Sequence, residues 1–257
     1  TIHDPIKHYK SKINIYSVIE SLTKLIIKNS DGIILHSELQ KENIYNFAKI
    51  DKKYISVQKM GAHDFYKNFE KKVKKKKNIL FFGEIRPNKG CDILIDAFLD
   101  IKDEIPNWNL VIAGRGYHWE TIAKKIEGNE DRIITMIRYI NDNEVADIFN
   151  SSEIACTPYI KGTQSGIVSL AGVFGVALIS FRFGNMEEIL TDNKDVLFTN
   201  ENNANSLSKS IKMLCKNDKK RILLSKNILH TCQTEWDWDS ITLNTIPFYE
   251  KVIKNVE

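Results

Sequence analysis

From Asn78 onward the chain repeats one pattern, a short apolar run followed by a stretch with helical apolar spacing, and this alternation narrows the possible folds most. The runs are 78–82 (Asn-Ile-Leu-Phe-Phe), 109–113, 132–136, 154–157 and 176–180; the helical stretches are 92–101, 119–126, 144–150 and 166–174. Runs that are apolar throughout, rather than alternating with polar residues, belong to strands buried on both faces. Such strands, spaced by helices, form a parallel sheet covered on both sides. The expected fold class is therefore α/β with a doubly wound, Rossmann-like parallel sheet. In such sheets ligands bind beyond the carboxyl ends of the strands, so the loops there are where chemistry is expected.

Upstream, residues 31–37 and 54–57 read as short strands and 13–27 as a helix. The periodicity stops at Gly61-Ala62-His63-Asp64, and a lysine-rich run follows over 71–77. That run carries part of the +4 net charge left by 37 basic and 33 acidic residues. A block of like charge reads as a solvated linker, and with no aromatic residues interleaved it is not expected to bind nucleic acid. The expected organisation is residues 1–64 as one part, 65–77 as a basic linker, 78–235 as a second domain and 236–257 as a C-terminal helix.

A chain of 257 residues that is 42% hydrophobic, with 12 Gly and 5 Pro, is neither disordered nor collagen-like, and it can bury a core without cross-links. Its four cysteines form no C-x-x-C pair, which argues against zinc and a disulfide framework and fits a reducing compartment. No apolar stretch approaches the roughly 18 residues of a membrane span. The opening Thr1-Ile2-His3-Asp4-Pro5 lacks a signal pattern and reads as a mid-domain strand end.

Four loops carry candidate chemistry. Gly83-Glu84-Ile85-Arg86-Pro87-Asn88-Lys89-Gly90 leaves a strand and enters a helix, with two cations at a helix N-terminus where a phosphate is favoured. An ordinary turn with solvated charges would use the same residues. Ala113-Gly114-Arg115-Gly116 lacks the third glycine of the dinucleotide fingerprint, so it gives little support to an NAD site. In the third loop, 159–166, Thr163, Gln164 and Ser165 precede an apolar helix; they suit either a neutral cradle for phosphate oxygens or simple N-capping. The fourth, 183–188, brings the carboxylate of Glu188 to the same edge. Asp237-Trp238-Asp239 spells D-x-D but sits in a helical region rather than after a core strand, so no metal is expected there. Hydrolase, metalloprotease and P-loop signatures are missing.

Taken in order, these four segments resemble the donor-binding domain of GT-B glycosyltransferases of the family 4 type, over roughly residues 78–200. More thinly, His3-Asp4-Pro5 with His8 resembles a strand end of the N-terminal GT-B domain, and Trp236 to Val256 resembles the helix that crosses back to it. The resemblance implies that residues 1–64 are the tail of the acceptor-side domain, 78–235 the nucleotide-sugar domain and 236–257 a helix packing back on the N-terminal part. It implies a metal-independent, retaining hexosyltransferase that needs no cofactor and moves a sugar from a nucleotide-diphosphate sugar to a glycan or lipid-linked acceptor. Arg86, Lys89, Gly114, Tyr139, Ile140, Thr163, Gln164, Ser165, Gly166 and Glu188 would bind the donor, with Tyr139 and Ile140 near the base, and His3 would be catalytic. The setting implied is bacterial polysaccharide biosynthesis in the cytoplasm or at the inner face of the membrane, with a peripheral membrane contact and no nucleic acid.

Two departures qualify the match. The family's Glu-x7-Glu carboxylates would fall at Gly162 and Leu170, so both are absent and the chain resembles a Thr-Gln-Ser-Gly variant. Glu84 also stands where the family places an arginine. A second reading is therefore a non-catalytic nucleotide- or partner-binding remnant. A third, nucleic-acid binding through the lysine run, predicts affinity that falls steeply with salt.

Overall fold

The structure, a computed structural model, describes residues 15–50 and 55–254. It divides into two units, Thr1–Gly61 with Glu235–Glu257, and Ala62–Thr234. The smaller unit contains α1 (Ile15–Lys28), β1 (Ile33–Leu35), α2 (Glu38–Ala48) and β2 (Ile55–Val57). β1 and β2 pair in parallel, Ile33 opposite Ile55 and Leu35 opposite Val57. Ile27, Ile33, Leu35, Ile44, Ala48 and Ile55 form the apolar cluster that these elements bury.

The larger unit contains β3 (Asn78–Phe82), α3 (Cys91–Ile101), β4 (Asn109–Ala113), α4 (Trp119–Ala123), β5 (Ile133–Met136), α5 (Asp142–Asn150), β6 (Ile154–Thr157), α6 (Gly166–Val173), β7 (Ala177–Ser180), α7 (Met186–Ile189), β8 (Leu197–Phe198), α8 (Ala204–Lys216) and α9 (Asp218–Glu235). Its strands form one parallel sheet in the order β5-β4-β3-β6-β7-β8. β6 and β7 are buried at every residue, and β3 and β4 at all but one, whereas the edge strand β5 exposes its middle. Continuous apolar runs thus sit at the centre of the sheet, where helices cover both faces. Phe81, Phe98, Phe149 and Phe181 are the bulkiest fully buried side chains.

The boundary differs from the expected one. The division falls between Gly61 and Ala62, and residues 65–77 belong to the larger unit instead of linking two bodies. Asp64–Phe69 forms a 3-10 turn packed on α5 and α6. The lysine run is tied to the amino edge of the sheet, opposite the loops that leave its carboxyl edge. Lys76 donates its backbone N–H to the Ser151 carbonyl at 3.1 Å, and Lys75 Nζ donates to the Gly175 carbonyl at 3.3 Å. Burial holds the Lys75 pKa below its ordinary value. The lysine stems can cover apolar surface while the charged heads reach solvent, and so a charged run does not have to be a linker.

Past Glu235 the chain joins the smaller unit as α10 (Trp238–Lys254). A Cβ on Gly61 would lie 2.4 Å from the Trp238 ring and one on Gly32 2.8 Å from Val252, so α10 packs on those backbones. Asp237 Oδ1 accepts the N–H groups of Asp239 and Ser240 at 3.0 and 3.1 Å. The D-x-D triplet therefore starts a helix.

Candidate functional site

Chain order reverses at β3, since β4 lies on one side of it and β6 on the other. In a doubly wound sheet the carboxyl edge at such a switch point is the usual place for a ligand. Backbone contacts join the loops there. Gly114 has φ +145°, and a Cβ there would fall 1.9 Å from the Gly83 carbonyl oxygen. Gly90 has φ +64°, and a Cβ would meet the Pro158 oxygen at 2.1 Å. Only glycine permits either approach. The Ile160 N–H donates to the Asn88 carbonyl at 2.9 Å, and the Asn185 N–H to the Thr163 carbonyl at 3.1 Å, tying the first loop to the third and the third to the fourth.

Tyr159 lies among these loops, only 2% exposed, with its ring centroid 5.0 Å from that of Phe183. Burial pushes its hydroxyl up to about 12, which keeps it neutral. Lys89 Nζ stands 3.8 Å from the centre of the Tyr159 ring. Lys89 is half-buried, and burial lowers its pKa against the opposing pull of Glu84. Among the described residues no carboxylate lies within ion-pair distance of it. A desolvated ammonium over an aromatic ring is a cation available to an anion from outside.

The N-terminus of α6 faces the same loops. Ser165 occupies the N-cap in extended conformation, yet its hydroxyl caps no amide of the helix. It is 7% exposed, and the Tyr159 hydroxyl is the polar group beside it. Gln164 Nε2 is buried without a hydrogen-bond partner. The first amides of a helix have no partner inside it, so this end offers donors from both backbone and side chain.

Beside it, a cavity of about 250 Å³ is lined by Gly83 and Glu84 of the first loop, Gly114 and Arg115 of the second, Tyr139, Ile140 and Asp142 near the start of α5, and Tyr66 of the 3-10 turn. The Arg115 guanidinium lies 4.9 Å from the centre of the Tyr139 ring. The Tyr66 hydroxyl comes within 3.5 Å of Asp142 Oδ1. The α5 end of this wall is fixed by a capping box between Asn141 and Glu144. A bidentate contact from Arg138 is the main reason that the Glu144 carboxyl titrates at about 2.

Of the residues expected at the site, Lys89, Gly114, Tyr139, Ile140, Thr163, Gln164, Ser165 and Gly166 come together at the carboxyl edge. The Arg86 charge still acts on Lys89, but its guanidinium is turned to other partners. Its Nε is 2.7 Å from Glu84 Oε2, its guanidinium sits 4.5 Å from the Tyr117 ring centre, and it lines a separate cavity of about 120 Å³ with Cys91 and His118. Glu84, at the family's arginine position, is thus the residue that holds Arg86 aside. Glu188 is on the exposed face of short α7. His3 lies outside the described residues. Among the described residues no three His, Cys, Asp or Glu side chains cluster to hold a metal, and the four cysteines are buried free thiols. Sequence reasoning missed Tyr66, Arg115 and His63. The only sign of His63 and Tyr66 was a His and aromatic side chains just after Gly61, where apolar periodicity breaks.

Comparison with known proteins gives a consistent result. Residues 63–230, well over half of the chain, match the family described as Glycosyl transferases group 1. An uncharacterized glycosyltransferase of Methanocaldococcus jannaschii is 25% identical over 245 residues, covering 89% of this chain and 68% of that protein. The phosphatidyl-myo-inositol mannosyltransferase of Mycobacterium tuberculosis is 27% identical over 121 residues, covering 45% of this chain and 31% of its own length. The crystal structure of Anabaena HepE in complex with UDP superposes with a TM-score of 0.78 at 13% identity, covering 97% of this chain and 71% of that one, and so shares the fold. The chain spans about two thirds of the length of the first relative and under a third of the second.

Proposed function

The chain belongs to the group 1 glycosyl transferases, and from that premise we propose that it moves a sugar from a nucleotide-diphosphate sugar to a glycan or lipid-linked acceptor, without a metal and with retention at the anomeric carbon. The observation that carries this reading is Lys89, a half-buried cation held over Tyr159 that among the described residues forms no ion pair, although the Glu84 charge acts on it. It stands at the switch point, among loops joined to the helix end formed by Ser165 and Gly166. As the glycosidic bond breaks, negative charge develops on the leaving diphosphate. Lys89 and the α6 amides stabilise it there, aided by Thr163, Gln164 and Ser165. The cavity walled by Tyr139, Ile140 and Gly114 receives the base, with Arg115 stacked on Tyr139 behind it. Glu188 belongs to the donor side and His3 to the reacting sugar. The UDP in the HepE structure and the mannosyl transfer named for the mycobacterial relative fit this class of donor.

The test is calorimetric titration of UDP, GDP and ADP into the wild type and Lys89→Ala. Loss of a charge-assisted hydrogen bond is worth about 1.5–3 kcal/mol, so the variant is expected to bind the preferred nucleoside diphosphate roughly ten- to a hundredfold more weakly. No nucleoside diphosphate binding by the wild type would overturn the donor site. Binding without sugar transfer to any acceptor would favour a non-catalytic nucleotide-binding remnant, the reading that the absent carboxylates at Gly162 and Leu170 support.

A further inference from the structure

The geometry points to His63 as a further donor-binding residue, its Nε2–H donating to an oxygen of the nucleotide's diphosphate at the start of α6. This assignment rests on the donor-site reading above.

His63 is the N-cap residue of the 3-10 turn Asp64–Phe69, and α6 grips it at two points. Its backbone N–H donates to Ser169 Oγ at 2.8 Å, and its Nδ1 lies 3.0 Å from the same oxygen. Ser169 Oγ accepts that N–H and can give its own proton to Nδ1, which is the tautomer this assignment requires. A ring that accepts at Nδ1 carries its proton on Nε2. Burial lowers the His63 pKa, with Asp64 opposing, so the neutral ring is favoured.

The other edge of the ring faces the helix end. A Cβ built on Gly166, the first residue of α6, would lie 3.2 Å from His63 Cε1 and 3.5 Å from Nε2. Any anion held by the first amides of α6 therefore meets this edge. An independent feature marks the same helix end as a ligand site, because Gln164 Nε2 is buried there without a hydrogen-bond partner and the Ser165 hydroxyl caps no helix amide. Buried polar atoms are costly when unpaired, and phosphate oxygens would satisfy both. Lys89 approaches from the first loop and His63 from the segment before β3, so the diphosphate would be held from two sides. Gly166 then has a specific reason to lack a side chain, since any Cβ would press on the His63 ring.

The test titrates UDP, GDP and ADP, with uridine, guanosine and adenosine as phosphate-free counterparts, into wild type, Lys89→Ala, His63→Ala and His63→Gln. His63→Ala is expected to lose about tenfold or more in affinity for the preferred diphosphate and to bind its nucleoside unchanged. His63→Gln, which restores an N–H donor near the position of Nε2, should stay within roughly threefold of wild type. If His63→Ala fails to fold, His63→Met supplies similar bulk without a donor and should show the same loss. Unchanged diphosphate affinity in His63→Ala or His63→Met while Lys89→Ala weakens it would overturn the role of His63 alone. Equal loss of nucleoside and diphosphate would assign His63 to packing. A wild type that binds no diphosphate would overturn the underlying donor site, and with it this assignment.

Discussion

Single atoms decide whether the loops at the carboxyl edge can assemble. Gly114 is the sharpest case, because its φ of +145° is nearly closed to other residues and the Gly83 oxygen occupies the space of any Cβ. Gly114→Ala should cost at least about 1–3 kcal/mol from the backbone conformation alone, and the clash adds to it. A thermal melt reads this loss, and an unchanged melting temperature would mean that the two loops do not touch as described. Arg86 makes the opposite case. Paired with Glu84 and stacked on Tyr117, it faces another cavity, so Arg86→Ala should leave nucleoside diphosphate affinity within about threefold and, as an exposed pair, cost at most about 1 kcal/mol. A tenfold loss of affinity would show that Arg86 swings to the donor when it binds. Lys89 and Arg86 were both phosphate-ligand candidates in the sequence, Arg86 only if the loop turned it inward, and spacing in a loop does not say which way a side chain turns.

Among the elements, α5 depends on how it begins. Asn141 and Glu144 cap each other's orphan groups, and Asn141→Ala should cost about 1 kcal/mol, within the 0.5–2 range seen for such caps. The Glu144 carboxyl is depressed to about 2 from an ordinary 4.5, so its unfolded form binds protons first. The support it gives is complete above about pH 4.5 and fades as the pH falls towards 2. Any melting-temperature gap between wild type and Glu144→Gln should therefore be widest near neutral pH and close through that window; a gap that persists at pH 2 would contradict the assignment. The lysine run lies at the amino edge of the sheet. Replacing Lys71, Lys72, Lys74, Lys76 and Lys77 by Gln should shift nucleoside diphosphate affinity less than about threefold in physiological salt, where charges beyond about 8 Å are screened. A tenfold drop would place the run in the donor's field. The alternating apolar runs were legible as strands because continuous burial forces that composition. Two-residue β8 and the turn Asp64–Phe69 were not, being too short to show a period.

In the larger unit as a whole, long-range contacts tie the last helix to the sheet. Arg221 of α9 has a side chain only 7% exposed, bonded through Nε to Glu153 Oε2 at 2.6 Å and through a terminal nitrogen to the Leu214 carbonyl at 2.7 Å, with its guanidinium 5.0 Å from the Trp108 ring centre. Arg221 is buried, but Glu153 is 22% exposed with the Lys75 charge acting on it, so Arg221→Ala removes charged hydrogen bonds without stranding a buried carboxylate and should destabilise the unit by about 1.5–3 kcal/mol in denaturant unfolding. A loss under about 1 kcal/mol would mean that water reaches Glu153 freely. Burial on two faces, strand length and turn residues are local demands. They wrote the parallel sheet, the four loops and their resemblance to a glycosyltransferase into the order of residues 78–200, where they can be read without coordinates. The placing of His63 on Gly166, the turning aside of Arg86 by Glu84 and the inclusion of 65–77 in the larger unit are not local. Each depends on which distant backbone or side chain the folded sheet brings within a few ångströms, as Ser169 is brought to His63 across 106 positions, and such contacts leave no periodic trace in the chain.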